Sequence, residues 1–165
     1  MKIDTLQDLY MKELRDLYGS EKLLAKWLPK IAETADLMEL RQALSNHLSE
    51  VRNQSTRLEK IFQIRGEKPS AKYGKTIEGL LLEADEDIAD AGNATIRDTA
   101  IVAAIQQIKH YEMAAYGTML AYATHLDYNE DARLLQSTLQ EERATDRKLT
   151  EISLHFLRLE AARIP

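Results

Sequence analysis

Apolar residues recur at alternating steps of three and four along most of the chain, the period of helices that bury one face. The pattern predicts helices over about 4–35, 37–65, 76–91, 94–126 and 129–163. Thr5 and Asp8 suit a capping start for the first. Gly19 and Pro29 fall inside it and predict a kink or local break. Gly66 reads as the C-cap of the second helix, and Gly92 with Asn93 separates the third from the fourth. Two pairs of long helices, each with a tight turn, flank the linker GEKPSAKYGK and a short helix. Tight turns make antiparallel hairpins. One long crossover between hairpins is the topology of a ferritin-like four-helix bundle, all-α, with a short extra helix in the crossover.

Length and composition narrow the function classes. A chain of 165 residues, 44% hydrophobic and 30% charged, is expected to form a single domain over 1–165. A formal charge of −5 argues against bulk attraction to nucleic acid. With no cysteine there is no disulfide frame, thiolate metal site or thiol nucleophile. The first residues, MKIDTLQDLYMKELRDLY, lack the apolar core of a signal peptide, and no run approaches the ~18 apolar residues of a membrane span. A cytoplasmic protein without membrane partners is expected. No Gly-rich phosphate loop, nucleophile elbow or HExxH motif is present.

The apolar stripes are interrupted by acids. The fourth helix gives Ile101, Ile105, Ile108, Glu112, Ala115, Met119, Tyr122 and Leu126, with Glu112 on the stripe and no slip in register. The last gives Leu135, Thr138, Glu142, Thr145, Leu149, Ile152, Phe156 and Leu159. The first gives Leu6, Tyr10, Glu13, Leu17, Glu21, Leu24, Leu28 and Ile31; the second gives Leu40, Leu44, His47, Val51, Gln54, Leu58 and Ile61, with Glu50 beside it. A single inward glutamate is most simply one whose stem snorkels to water or that pairs with an arginine. Four at similar depth repel one another, and each must be protonated, paired or bound to metal. Two divalent cations would satisfy all four, and a carboxylate-rich donor set favours Fe, Mn or Mg. Glu21 and Glu50 are 29 residues apart across one turn, and Glu112 and Glu142 are 30 apart across the other, so each pair is expected to face across its hairpin. Glu13 fits this symmetry less well and reads as a solvated acid. His110 lies about 200° from Glu112 on the helical wheel, while His125 and His155 read as ordinary end or outer-face residues. A tyrosine beside a di-iron site could donate a hydrogen bond or an electron, but the tyrosines, Tyr116 among them, read more simply as packing.

The stretches YGSEKLLAKWLPKIA, LRQALSNHLSEVRNQSTRLEKIF, IKHYEMAAYGTMLAYA and LLQSTLQEERATDRKLTEI, in this order, resemble the ferritin-like superfamily and, within it, the bacterial YciE/YciF-type stress-protein family. The resemblance spans nearly the whole chain. It implies a ferritin-like bundle, often dimeric, with an internal dinuclear metal site and induction under stress. Glu21 and Glu112 match the lone glutamates of that pattern, and Glu50 and Glu142 match the glutamates of its two Glu-x-x-His motifs. The histidines are absent: Asn53 and Thr145 stand in their places. Gln54, Asp146 and His47 are the substitutes within reach.

Three functions follow. The first is a di-metal redox protein, Fe or Mn, handling peroxide or oxygen, with Glu50 and Glu142 bridging and Glu21 and Glu112 terminal. The second is iron sequestration, which needs a closed shell. The third is a metal-free helical scaffold or interaction module, in which the inward acids are protonated or pair with Arg41, Arg52, Arg143 or Lys109. A homodimer is expected in the first and third.

Overall fold

A computed structural model describes residues 2–161, with side chains described for 2–154, so that His155, Phe156 and Leu159 lie outside the described side chains. Five helices follow in order: α1 (Leu6–Thr34), α2 (Met38–Ile64), α3 (Lys75–Ala89), α4 (Ala94–His125) and α5 (Asn129–Ala161). The described residues contain no strand. No described helix is long and apolar enough to cross a membrane.

The helix ends follow local chemistry. Thr5 accepts from the Asp8 N–H at 3.1 Å while Asp8 accepts from the Thr5 N–H at 3.0 Å, a reciprocal capping box. At the end of α2, Gly66 adopts φ 72° and the Glu67 N–H reaches back to the Phe62 carbonyl at 2.9 Å, so a left-handed residue satisfies carbonyls the helix would leave open. Asn93 caps α4 through the Ile96 N–H at 3.0 Å. The local break expected at Gly19 and Pro29 is not there: α1 runs through both. Gly19 serves a different purpose. A Cβ there would lie 2.1 Å from the Lys72 carbonyl oxygen, so only glycine lets the crossover lie on α1. The Lys72 N–H then donates to the Arg15 carbonyl at 3.0 Å.

Three-residue connections at 35–37 and 126–128 return the chain, so α2 packs on α1 and α5 packs on α4. α1 also packs on α4, and α2 on α5, while α3 lies against α4 and α1. The buried Asp98 of α4 accepts from the Asp36 and Leu37 N–H groups at 2.8 Å each, closing the α1–α2 corner. Trp27 donates to Asp85 at 2.7 Å and ties α3 to α1.

The apolar interior is split in two. One cluster includes Leu24–Ile31, Leu40–Val51 and Ile101–Ile108 positions with Leu149, Ile152 and the buried face of α3. The other includes Tyr10, Leu14 and Leu17, Leu58–Phe62 positions, Tyr116, Met119 and Leu135. Between them each long helix has a stretch with no fully buried member of either cluster, which leaves gaps at residues 19–23, 52–57, 109–115 and 140–148. Glu21, Gln54, Lys109, Glu112 and Glu142 all fall in those gaps, and all are buried. Each fully buried aliphatic side chain above and below contributes about 1.5–3 kcal/mol, which holds this polar layer in place.

The stripes of α1, α2 and α5 bury much as their spacing predicts. In α4 the register departs after Glu112: Tyr116 and Ala123 are buried, whereas Ala115 and Tyr122 are only partly so. A strict seven-residue repeat drifts against a helix of 3.6 residues per turn, and here the buried face advances by one position.

Candidate functional site: a buried lysine among carboxylates

Lys109 and Glu112 are three residues apart on α4 and share a face. The Lys109 Nζ donates to Glu112 Oε2 at 2.9 Å and to Glu142 Oε2, on α5, at 2.6 Å. All three side chains are 0% exposed. Gln54 of α2 donates to Glu142 Oε1 at 2.6 Å and approaches Glu141 at 3.4 Å. Glu21 of α1 accepts from the Tyr116 hydroxyl at 2.5 Å. Four helices thus contribute to one layer.

Electrostatics follow from burial. Burial pushes the Glu21 carboxyl up to about 8, helped by the charge of Glu142 and opposed by the Tyr116 hydrogen bond and Lys109. Burial also raises Glu112 well above the ordinary range, again with Glu142 adding to it and Lys109 opposing. For Lys109 burial favours the neutral amine, but the adjacent Glu112 and Glu142 outweigh it and hold the ammonium protonated. A buried cation with two charge-assisted hydrogen bonds is stable only while both acceptors stay in place.

The remaining candidates sit around this layer in different ways. Glu50 is half-buried, accepts from the Thr145 hydroxyl at 2.7 Å, and is raised by burial against that hydrogen bond. His47 is buried without a hydrogen-bond partner at either ring nitrogen; burial, then the charge of Lys109, keep it neutral. Asp146 lies to the side, 3.6 Å from the Nδ1 of the exposed His110. Glu13 pairs with Lys12 at 2.8 Å near the surface, as its solvated reading anticipates. The charge of Glu142, on the other hairpin, adds to the rise of Glu21. Of the proposed cationic partners only Lys109 engages these acids; Arg41 donates to the Ala35 carbonyl, and Arg52 and Arg143 are exposed. Two participants stand outside the simplest reading of the sequence. Tyr116, read as packing, bonds Glu21. Arg57 forms a two-pronged pair with Glu141 at 2.6 and 2.5 Å beside the layer.

A dinuclear metal pair does not fit these side chains as they stand. The ammonium of Lys109 already bridges Glu112 and Glu142. Asn53 is exposed, and Thr145 is engaged with Glu50. Among the described residues, no three His, Asp or Glu side chains form a group able to hold a metal ion.

Comparison with known proteins places this architecture. The E. coli K12 protein YciF is 36% identical over 156 residues, 94% of each chain. The crystal structure of that stress protein superposes with a TM-score of 0.89 at 35% identity, covering 94% of this chain and 98% of that one. YcfI from Rhodopseudomonas palustris, provisionally described as a structural protein, gives a TM-score of 0.89 at 41% identity over 90% of this chain and 95% of its own. A Xanthomonas campestris protein at 18% identity and a TM-score of 0.76, covering 96% and 98%, shares the fold. A family described as a domain of unknown function, DUF892, matches residues 5–162. The chain therefore belongs to the DUF892 family and is similar to YciF of E. coli.

Proposed function

We propose that this chain is a cytoplasmic, single-domain, ferritin-like four-helix bundle that acts as a metal-free helical scaffold under stress, as a homodimer. The observation that carries the reading is the fully buried Lys109 ammonium, 2.6 and 2.9 Å from two glutamates. It supplies internally the positive charge that the acids require. The kinship with YciF supports the association with stress, and the provisional description of YcfI as a structural protein agrees with a scaffold. Burial raises the Glu21 carboxyl to about 8, so that its protonation near neutral pH removes part of the remaining repulsion.

The test is production in medium supplemented with iron or manganese, followed by desalting and metal counting. Well below one metal per chain is expected, together with a melting temperature indifferent to added metal. Size-exclusion chromatography with light scattering checks the dimer; a large shell would instead point to iron sequestration.

A second reading is a di-metal centre, Fe or Mn, acting on peroxide or oxygen. It is favoured by the full burial of Glu21, Glu112 and Glu142, each in a stretch that lacks buried members of either apolar cluster. It requires Lys109 to withdraw from both of its acceptors, and one or more metals per wild-type chain would establish it over the scaffold reading.

A further inference from the structure

We infer that the groove between α1 and α3 is the surface through which two copies of this chain pair, each copy setting the lysines of its α1 on the acids of the partner's α3. The inference rests on the homodimer reading above and adds to it the face that makes the dimer.

The groove follows from how the crossover is laid down. The Lys72 N–H binds the Arg15 carbonyl, and Trp27 donates to Asp85 at 2.7 Å. α3 therefore runs parallel to α1 and level with its second half. An open groove of about 370 Å³ lies between them, with Leu23, Trp27 and Leu81 giving it an apolar lining. Leu82 stands beside them, 62% exposed. A lone exposed leucine is ordinary. One on the lip of an apolar groove, next to a tryptophan, is the arrangement of an interface core.

Charge selects the occupant. On α1 the groove carries Lys26 and Lys30, and on α3 it carries Glu78 and Asp85. Each set lies at the three- and four-residue spacing of a single helix face. Lys12 and Lys22, earlier on α1, are ion-paired within the chain. Lys26 and Lys30 are exposed and pair with no acid among the described residues. On α3, Glu78 and Glu86, one turn either side of Leu82, are likewise exposed and meet no cation there. One wall is thus a row of cations and the other a row of acids, and they do not pair with each other.

A second copy satisfies both rows at once. A two-fold axis along the groove puts the partner's α3 over this α1 and the partner's α1 over this α3. Each lysine row then meets acids at its own level, and each Leu82 faces the partner's α1 wall. Such a contact is self-complementary in shape and in charge. An axis across the groove would instead set lysine on lysine and acid on acid.

Wild type, Leu82→Asp, Lys26→Glu/Lys30→Glu and Glu78→Lys/Glu86→Lys are compared by sedimentation velocity over a range of concentrations. Circular dichroism melts confirm folding; every substituted side chain is exposed. Wild type is expected to be a dimer. Each variant alone should dimerise roughly tenfold more weakly or worse. An equimolar mixture of the two charge-reversed variants should recover the dimer, because one offers acids on both helices and the other lysines. A wild type that is monomeric throughout, or that forms a large shell, overturns the homodimer reading and this inference with it. A wild-type dimer that all three variants retain unchanged overturns this inference and leaves the homodimer reading standing. Charge-reversed variants that dissociate alone and do not recover on mixing also overturn it. If Leu82→Asp does not fold, the charge-reversed pair decides: recovery on mixing supports the inference, and its absence overturns it.

Discussion

Two buried ion clusters in this molecule solve the same problem differently. At one end, Asp131 is 0% exposed, accepts from the Tyr10 hydroxyl at 2.8 Å, and pairs with Arg65 at 3.2 Å. Arg65 is partly exposed and lies 3.7 Å over the Tyr128 ring. One acid thus meets one cation, and the cation keeps a route to water. In the middle layer, Lys109 has no route to water and faces more acid than it can neutralise. The end cluster is a balanced staple between α1, the end of α2 and the start of α5. In the central layer Lys109 supplies one positive charge, and burial raises the Glu21 and Glu112 carboxyls. Burial alone does not distinguish them; the ratio of acid to base and the access of water do.

The comparison predicts a ranking of losses. Lys109→Ala, melted in chelator, should be the most damaging single change, at about 3–5 kcal/mol, because it strands buried carboxylates. For a chain this long that is roughly 10 °C or more in melting temperature. A loss below about 1 kcal/mol would mean the lysine is not a buried partner at all. Asp131→Ala should cost less, about 2–3 kcal/mol by urea titration, since Arg65 can rehydrate; a cost above that of Lys109→Ala would invert the comparison.

Glu21→Gln tests the role of protons. The folded-state pKa of Glu21 is raised to about 8 from 4.5, so its stabilising contribution is complete below 4.5 and is lost as pH rises to about 8. The variant should therefore flatten the fall in stability between pH 5 and 8 and melt roughly a few degrees above wild type at pH 9. Unchanged slope would mean that Glu21 stays ionised throughout. Tyr10→Phe should be the mildest change, at about 1 kcal/mol, measured in the same urea titrations; it removes one hydrogen bond and leaves the Asp131–Arg65 pair.

Much of the helical layout was legible from spacing because each signal is local. Thr5 with Asp8, Gly66 and Asn93 mark helix ends through bonds to neighbours three to five residues away. The stripe positions of Glu21, Glu112 and Glu142 were legible for the same reason: an acid on an apolar face is visible in the helix's own period. Lys109 was harder to place. It sits outside the seven-residue stripe of α4, and only its offset of three from Glu112 marks it as a partner. Tyr116 was assigned to packing because aromatics at helical spacing usually pack, and the advance of the buried face of α4 after Glu112 is a drift that a regular repeat conceals. Asp146 and His47 were placed by angle alone, and angle does not say which neighbouring helix stands opposite.

The sequence by itself determined the five helices, their caps, the two tight turns and the inward positions of Glu21, Glu112 and Glu142, because helix period and capping depend on residues within a turn or so of each other. Only the tertiary structure decided that Gln54 meets Glu142, that the Tyr116 hydroxyl meets Glu21, and that a lysine stands between Glu112 and Glu142. Those outcomes depend on how α1, α2, α4 and α5 align in depth and rotation. That alignment is set by the two apolar clusters packing above and below the charged layer, through contacts between residues far apart in the chain.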